Sequence, residues 1–165
     1  MKTMDNKENV IIRRAVPQDE SFWLSLDEHI SRSDLADKIS AGACYVLVVA
    51  GDNAGILRYG LFWDNVPFCN MLVVAPGYRG RGFGSAMMRR WERDMADLGY
   101  CAALTSTRAD ETARFFYRKL GYRKCGSIWP FWESSRPPEE LFFCKKPSSA
   151  AARIFFKKLS LSRVQ

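Results

Sequence analysis

Glycine and arginine alternate at residues 79–84, which read Arg-Gly-Arg-Gly-Phe-Gly. An apolar run ends just before this segment, and a helical pattern of apolar residues begins at Gly82. Glycine permits positive φ and lets the backbone approach a ligand closely. The first N–H groups of a helix have no partner within the helix and attract anions. The segment therefore predicts a pyrophosphate site, to which Arg79 and Arg81 add positive charge.

Two common nucleotide-binding loops do not fit these residues. A nucleoside-triphosphate loop needs Lys and then Ser or Thr after its last glycine, but Phe83 follows Gly82. A dinucleotide fingerprint that begins at Gly80 needs a third glycine at the position that Ser85 occupies. The remaining alternative is a glycine turn that binds no ligand.

The segment resembles the cofactor motif of the GNAT superfamily of N-acetyltransferases, Arg/Gln-x-x-Gly-x-Gly/Ala, with Arg79, Gly82 and Gly84 at its defining positions. A second signature of that family follows at residues 110–122, where Asp110 replaces the usual Asn. The residues that match the second signature are Ala113, Phe116, Tyr117, Lys119, Gly121 and Tyr122. Two signatures in the family's order make the resemblance specific, and it covers residues 10–145.

The resemblance implies transfer of an acetyl group from acetyl-CoA to a primary amine, by direct attack on the thioester. In the family, the pantetheine arm enters between the fourth and fifth strands, and a backbone N–H polarises the thioester carbonyl. Tyr117 matches the tyrosine that protonates the departing thiolate, a task that suits a phenol of pKa about 10. The cofactor-binding residues implied by the resemblance are Leu72, Val73, Val74, Arg79, Gly80, Arg81, Gly82, Phe83, Gly84, Ser85, Asp110 and Phe116.

The general base has several candidates, because the fourth strand lacks the carboxylate that many relatives carry there. The alternatives are a water chain or one of the acids Asp27, Glu28, Asp64 and Glu133. In the family, the first two helices and the last hairpin build the acceptor pocket. An aromatic wall with acids would suit a cationic amine, although the same aromatic residues could form core. The residues in question are Trp23, Asp27, His29, Trp63, Trp129, Phe131 and Trp132; His29 by itself is predicted to be a surface residue.

The elements that must position these residues follow from apolar periodicity and turn residues. They predict the order β, α, α, β, β, β, α, β, α, β, β, in which residues 44–74 form an antiparallel meander. The helix at residues 82–98 should bury an apolar stripe that includes Trp91 and Met95 and place Glu92 on the solvated side. It links two strands that should be parallel. The fold class is therefore mixed α+β, with a mostly antiparallel sheet of about seven strands and helices on both faces.

The 165 residues suit one domain, predicted at residues 1–146, with a basic tail or extra helix at residues 147–165. The tail holds most of the net charge of +7, so we expect no nucleic-acid binding by the folded body. The N-terminal residues lack an apolar secretory segment, and no run reaches the ~20 apolar residues of a membrane span. These observations predict a cytoplasmic protein, monomeric or homodimeric, that acetylates a small-molecule or peptide amine.

The cysteines indicate no metal site. Five are present, widely spaced and without a CxxC pair, whereas zinc sites use closely spaced ligands. We expect them to be small buried residues in strands. One alternative function stays open: a CoA-binding module that senses or recruits without catalysis, since the strand carboxylate is missing.

Overall fold

The computed structural model describes residues 8–130 and 137–147. Its elements are β1 (Val10–Arg14), α1 (Glu20–Leu24), α2 (Arg32–Ser40), β2 (Cys44–Val49), β3 (Asp52–Phe62), β4 (Val66–Val74), α3 (Phe83–Asp97), β5 (Ala103–Arg108), α4 (Ala113–Lys119), β6 (Arg123–Ile128) and β7 (Glu140–Lys145). Short 3₁₀ turns lie at Pro17–Asp19 and Pro76–Tyr78. The predicted order of helices and strands is confirmed. The predicted tail from residue 148 onward lies outside the described residues.

The strands form a sheet in the order β1-β2-β3-β4-β5-β7-β6. The pairs β1–β2, β2–β3, β5–β7 and β6–β7 are antiparallel. The pair β4–β5 is parallel, because α3 carries the chain back to the end of the sheet at which β4 began. The predicted mixed, mostly antiparallel fold is thus confirmed.

The chain divides into two compact units. The first comprises Met1–Tyr59 and Met71–Met88, and the second comprises residues 60–70 and 89–165. The core of the first unit contains buried side chains from α1, α2, β2 and β3, namely Trp23, Leu35, Cys44, Val46 and Ile56. Gly55 lies where β3, β4 and α3 come close, since an added Cβ would be 3.0 Å from the Val73 carbonyl oxygen and 3.3 Å from Met87 Sδ.

The predicted first helix is shorter than its apolar spacing indicated. It ends at Leu24, so Leu26 and Ile30 pack on the core from the following turn rather than from a helix. The carboxylate of Asp27 accepts the backbone N–H of His29 at 3.1 Å, which holds the chain in that turn. The second helix is capped by Ser31, whose hydroxyl accepts the Asp34 N–H. Ser33, which the sequence also offers as a cap, lies inside the helix, and Ala36 is exposed.

In the second unit, Glu92 on α3 is buried, although the sequence placed it on the solvated side. Its carboxylate accepts hydrogen bonds from the Tyr122 hydroxyl at 2.9 Å and from Lys145 Nζ at 2.6 Å. These two partners compensate for burial of the charge. Trp91 and Met95 form the predicted apolar stripe beside it and are fully buried.

The cysteine prediction is only partly right. Cys44 and Cys69 are buried strand residues, whereas Cys101 and Cys125 are exposed and Cys144 is half-buried. In the described part of the chain, we find no helix long and apolar enough to cross a bilayer.

Candidate functional site

The glycine-rich segment forms an exposed loop that runs into the N-terminus of α3 in the first unit. Gly80 and Gly82 have φ angles of 74° and 80°, a region that favours glycine. The first helical hydrogen bond runs from the Ala86 N–H to the Gly82 carbonyl. The N–H groups of Phe83, Gly84 and Ser85 therefore precede the hydrogen-bonded turns of a fifteen-residue helix. This geometry suits an anion.

The two arginines of the loop are held in different ways. Arg79 Nε donates to the Val74 carbonyl at 2.8 Å, which ties the loop to the end of β4. The Arg81 guanidinium lies 4.8 Å from the centre of the Phe83 ring and forms an exposed ion pair with Glu8. Because an exposed ion pair is weak, Arg81 can exchange Glu8 for another anion.

Leu72, Val73 and Val74 form the last residues of β4 and are half-buried. The Val74 carbonyl accepts the hydrogen bond from Arg79, and the Val73 carbonyl faces Gly55. The parallel ladder between β4 and β5 pairs Phe68 with Leu104 and Cys69 with Thr105. Residues 72–74 therefore lie beyond the part of β4 that pairs with β5.

Tyr117 lies on α4 in the second unit and is only 7% exposed. Its ring packs against Phe116, Tyr122 and Phe143 with centroid distances of 5.2, 5.9 and 6.1 Å. Burial raises the pKa of the Tyr117 phenol above its ordinary value, and the nearby Cys69 thiol acts in the same direction. A hydrogen bond to the Thr105 hydroxyl lowers the pKa and partly offsets both effects.

Thr105 connects Tyr117 to the strand backbone. Its hydroxyl donates to the Cys69 carbonyl at 3.2 Å. A hydroxyl carries one proton but two acceptor lone pairs, so while Thr105 donates to the Cys69 carbonyl it can act toward Tyr117 only as an acceptor. If the phenol loses its proton, the same hydroxyl can rotate and donate to the phenolate.

Two further candidate cofactor residues, Asp110 and Phe116, lie close to Tyr117 in the sequence. Phe116 packs against the Tyr117 ring, and Asp110 lies in the turn after β5. The Asp110 carboxylate is exposed and accepts two hydrogen bonds from Arg108, at 3.1 and 2.8 Å. The hydrogen bond from Arg108 lowers the pKa of Asp110. Asp110 therefore holds Arg108 at the surface.

Several residues expected to line the acceptor pocket instead pack in the core, form an ion pair or are exposed to solvent. Trp23 is a fully buried core residue. Asp27 is buried and binds Arg58 Nε at 2.7 Å, so its carboxylate is already neutralised and makes a poor base. Trp63, Trp129 and His29 are exposed, as are the other acids Glu28 and Asp64. Phe131, Trp132 and Glu133 lie outside the described residues.

A cavity of about 210 Å³ is present in the second unit. It is lined by Gly60, Leu61, Phe62, Phe68, Asn70 and Phe142. The Phe68 ring lies 6.2 Å from the Phe62 ring and 6.1 Å from the Phe142 ring, centroid to centroid.

Sequence reasoning missed this cavity, and it missed Thr105. The signals were a run of hydroxyl residues, Thr105 to Thr107, inside a strand and the alternation of Phe68 with Asn70 on β4. Both become informative only once the register of the strands is known.

A family model described as "Acetyltransferase (GNAT) domain" matches residues 40–124. This range contains the loop, β4, β5 and Tyr117. No curated protein sequence matches the chain.

Solved structures share the fold at low sequence identity. The ribosomal-protein-S18-alanine N-acetyltransferase from Escherichia coli is 16% identical with a TM-score of 0.72, covering 86% of this chain and 96% of that chain. Naa50 from Arabidopsis thaliana, in complex with the bisubstrate analogue CoA-Ac-MVNAL, is 17% identical with a TM-score of 0.69, covering 83% and 98%. The spermidine/spermine N-acetyltransferase SpeG from Vibrio cholerae is 14% identical with a TM-score of 0.69, covering 87% and 96%. The chain therefore belongs to the GNAT acetyltransferases, which are acetyl-CoA-dependent acyltransferases.

Proposed function

We propose that the protein is an N-acetyltransferase that moves the acetyl group of acetyl-CoA to a primary amine by direct attack on the thioester. The observation that carries the proposal is the loop at the start of α3. It combines two glycines at positive φ, free helical N–H groups and two arginines. Membership of the chain in the GNAT family supports the diphosphate of CoA as the ligand of this anion site.

In the proposed complex, the backbone N–H groups of residues 80–85 bind the diphosphate of CoA. Arg81 leaves Glu8 and adds a charge-assisted hydrogen bond. Arg79 keeps the loop attached to β4 through the Val74 carbonyl. The pantetheine arm then pairs with the backbone of Leu72–Val74, and one N–H there polarises the thioester carbonyl.

Tyr117 is the proposed general acid. Its raised pKa keeps the phenol protonated at neutral pH, so a proton is available when the thiolate departs. The raised pKa also makes proton transfer to sulfur less favourable. The Thr105 hydroxyl offsets this cost, because it can donate to the phenolate that results. Phe116 supports the proposed acid by packing on the Tyr117 ring.

The test is an acetylation assay with acetyl-CoA and a panel of primary amines, in which released CoA thiol and acetylated product are both measured. The proposal expects one thiol for each acetylated amine. Calorimetric titration with CoA gives an independent measure of cofactor binding. Tight CoA binding without acetylation of any amine would identify a CoA-binding module instead, and absence of CoA binding would refute both functions.

A further inference from the structure

The cavity of the second unit is lined mainly by apolar residues. Phe62, Phe68 and Phe142 supply three aromatic rings, and Gly60 and Leu61 complete the apolar part. Asn70 supplies the polar group. None of these described lining residues is ionisable, so the cavity offers no carboxylate to a second cationic centre.

The size of the cavity limits what can enter it. Its volume of about 210 Å³ is below the ~300–1,000 Å³ of pockets that enclose drug-sized ligands. One ring or one branched aliphatic group is therefore a suitable occupant. Contact of such a group with three aromatic rings is favourable, whereas an ammonium would find ring faces but no carboxylate among the described lining residues.

The position of the cavity connects it with the proposed chemistry. Phe68 and Asn70 flank Cys69 on β4, and alternate residues of a strand point to the same face. Cys69 is the residue whose carbonyl binds Thr105, which in turn is hydrogen-bonded to Tyr117. The cavity therefore lies on the face of β4 opposite to the Cys69 side chain, and Asn70 precedes by two residues Leu72, the first residue of the proposed pantetheine-binding segment.

We infer that this cavity binds the apolar group of the acceptor, so that the enzyme acetylates amines with a ring or branched aliphatic group near the amino group, and not polyamines. The inference rests on the proposed function. The Asn70 side-chain carbonyl accepts an N–H of the acceptor amine at the polar side of the cavity. The acceptor is therefore uncharged apart from its amino group.

The experiment compares 2-phenylethylamine with 1,4-diaminobutane as acceptors. We expect kcat/KM at least tenfold higher for 2-phenylethylamine. Phe62→Ala should remove about tenfold of this preference through KM, and its partly exposed position at the end of β3 limits the damage to folding. Leu98→Ala is the matched control, since it truncates an exposed apolar side chain that does not line the cavity. It should leave kcat/KM unchanged for both amines.

Asn70→Asp is the complementary variant, because it adds a carboxylate without changing the shape of the wall. It should raise kcat/KM for the diamine relative to 2-phenylethylamine by at least fivefold. Preference of the unmodified enzyme for the diamine would overturn the inference while leaving the acetyltransferase proposal intact.

Binding of 2-phenylethylamine to the CoA-loaded protein, followed by calorimetry, provides a readout that does not require turnover. Binding that Phe62→Ala weakens and Leu98→Ala does not would support the inference even if catalysis failed. Equal binding by both variants, or no binding at all, would overturn it.

Discussion

The buried phenol of Tyr117 is hydrogen-bonded to the hydroxyl of Thr105. That hydroxyl is also bonded to the Cys69 carbonyl, so its position is set by the β4–β5 ladder and not by α4 alone. The proposed acid is therefore oriented by a neighbouring strand. Substitutions at Tyr117 and Thr105 therefore test a catalytic role of the phenol against simple packing of its ring.

Tyr117→Phe keeps the ring contacts and removes only the hydroxyl. We expect kcat to fall by about 10²-fold or more, within the range for loss of a general acid, with CoA affinity unchanged by calorimetry. Tyr100→Phe is the control, because Tyr100 is a partly exposed residue outside the proposed site. A kcat equal to that of the unmodified enzyme would remove the catalytic role.

Thr105→Val should lower kcat about fivefold, which corresponds to the net value of one hydrogen bond, about 1 kcal/mol. Thr105→Ser keeps the hydroxyl and should restore most of the loss. The comparison is made at saturating acetyl-CoA, with CoA affinity measured separately. If Thr105→Ser and Thr105→Val lower kcat equally, the effect on kcat comes from the shape of the side chain and not from its hydroxyl.

The pH dependence of kcat tests the same group. An acid is active while it is protonated, so its activity is lost as pH rises through its pKa. Because burial raises the pKa of Tyr117 above the ordinary value of about 10, kcat should show no fall caused by this phenol between pH 7 and about 10. A basic limb below pH 9 that Tyr117→Phe abolishes would contradict the raised pKa of the phenol, although it would still identify Tyr117 as the acid.

The loop was predictable because its signals are local. Glycines, arginines and the start of a helix occur within a few residues, and their conformations depend little on distant parts of the chain. The helix that carries Tyr117 was predictable in the same way, from a local motif. The hydrogen bond of Thr105 to the Cys69 carbonyl was not, because it depends on the pairing of Cys69 with Thr105 across 36 residues.

Charged residues were misjudged for a related reason. Glu92 was assigned to solvent because of its charge, although its position near Trp91 and Met95 places it close to the buried stripe. Tyr122 and Lys145, which make its burial possible, come from distant strands. Asp27 likewise depends on Arg58, so its burial could not be inferred from the first helix alone.

The Asp27–Arg58 pair should be important for stability. Burial favours the neutral form, but hydrogen bonds from Arg58, His29 and Trp23 outweigh it, and the pKa of Asp27 is lowered. The carboxylate thus stabilises the fold above the unfolded pKa of about 4, and this contribution is lost as pH falls through the folded pKa. Asp27→Asn should cost about 3 kcal/mol at pH 7, measured by urea unfolding.

The same variant should flatten the acid side of the stability profile, since the group responsible has been removed. Glu28→Gln, an exposed neighbour, should change stability little and leave the profile unaltered. An Asp27→Asn protein as stable as the unmodified chain would show that Arg58 is well solvated without its partner.

Gly82→Ala tests the anion site with a control that the chain itself provides. Gly82 and Gly42 have φ angles of 80° and 67°, and an added Cβ meets no atom within 4 Å at either position. Each substitution forces alanine into the left-handed region at a cost of about 1–2 kcal/mol, so both should lose similar stability. Only Gly82→Ala should weaken CoA binding, by about tenfold, because it alone changes the backbone that faces the diphosphate. Calorimetry with CoA on the two folded variants decides the matter, and equal affinities would show that the loop conformation does not bind the cofactor.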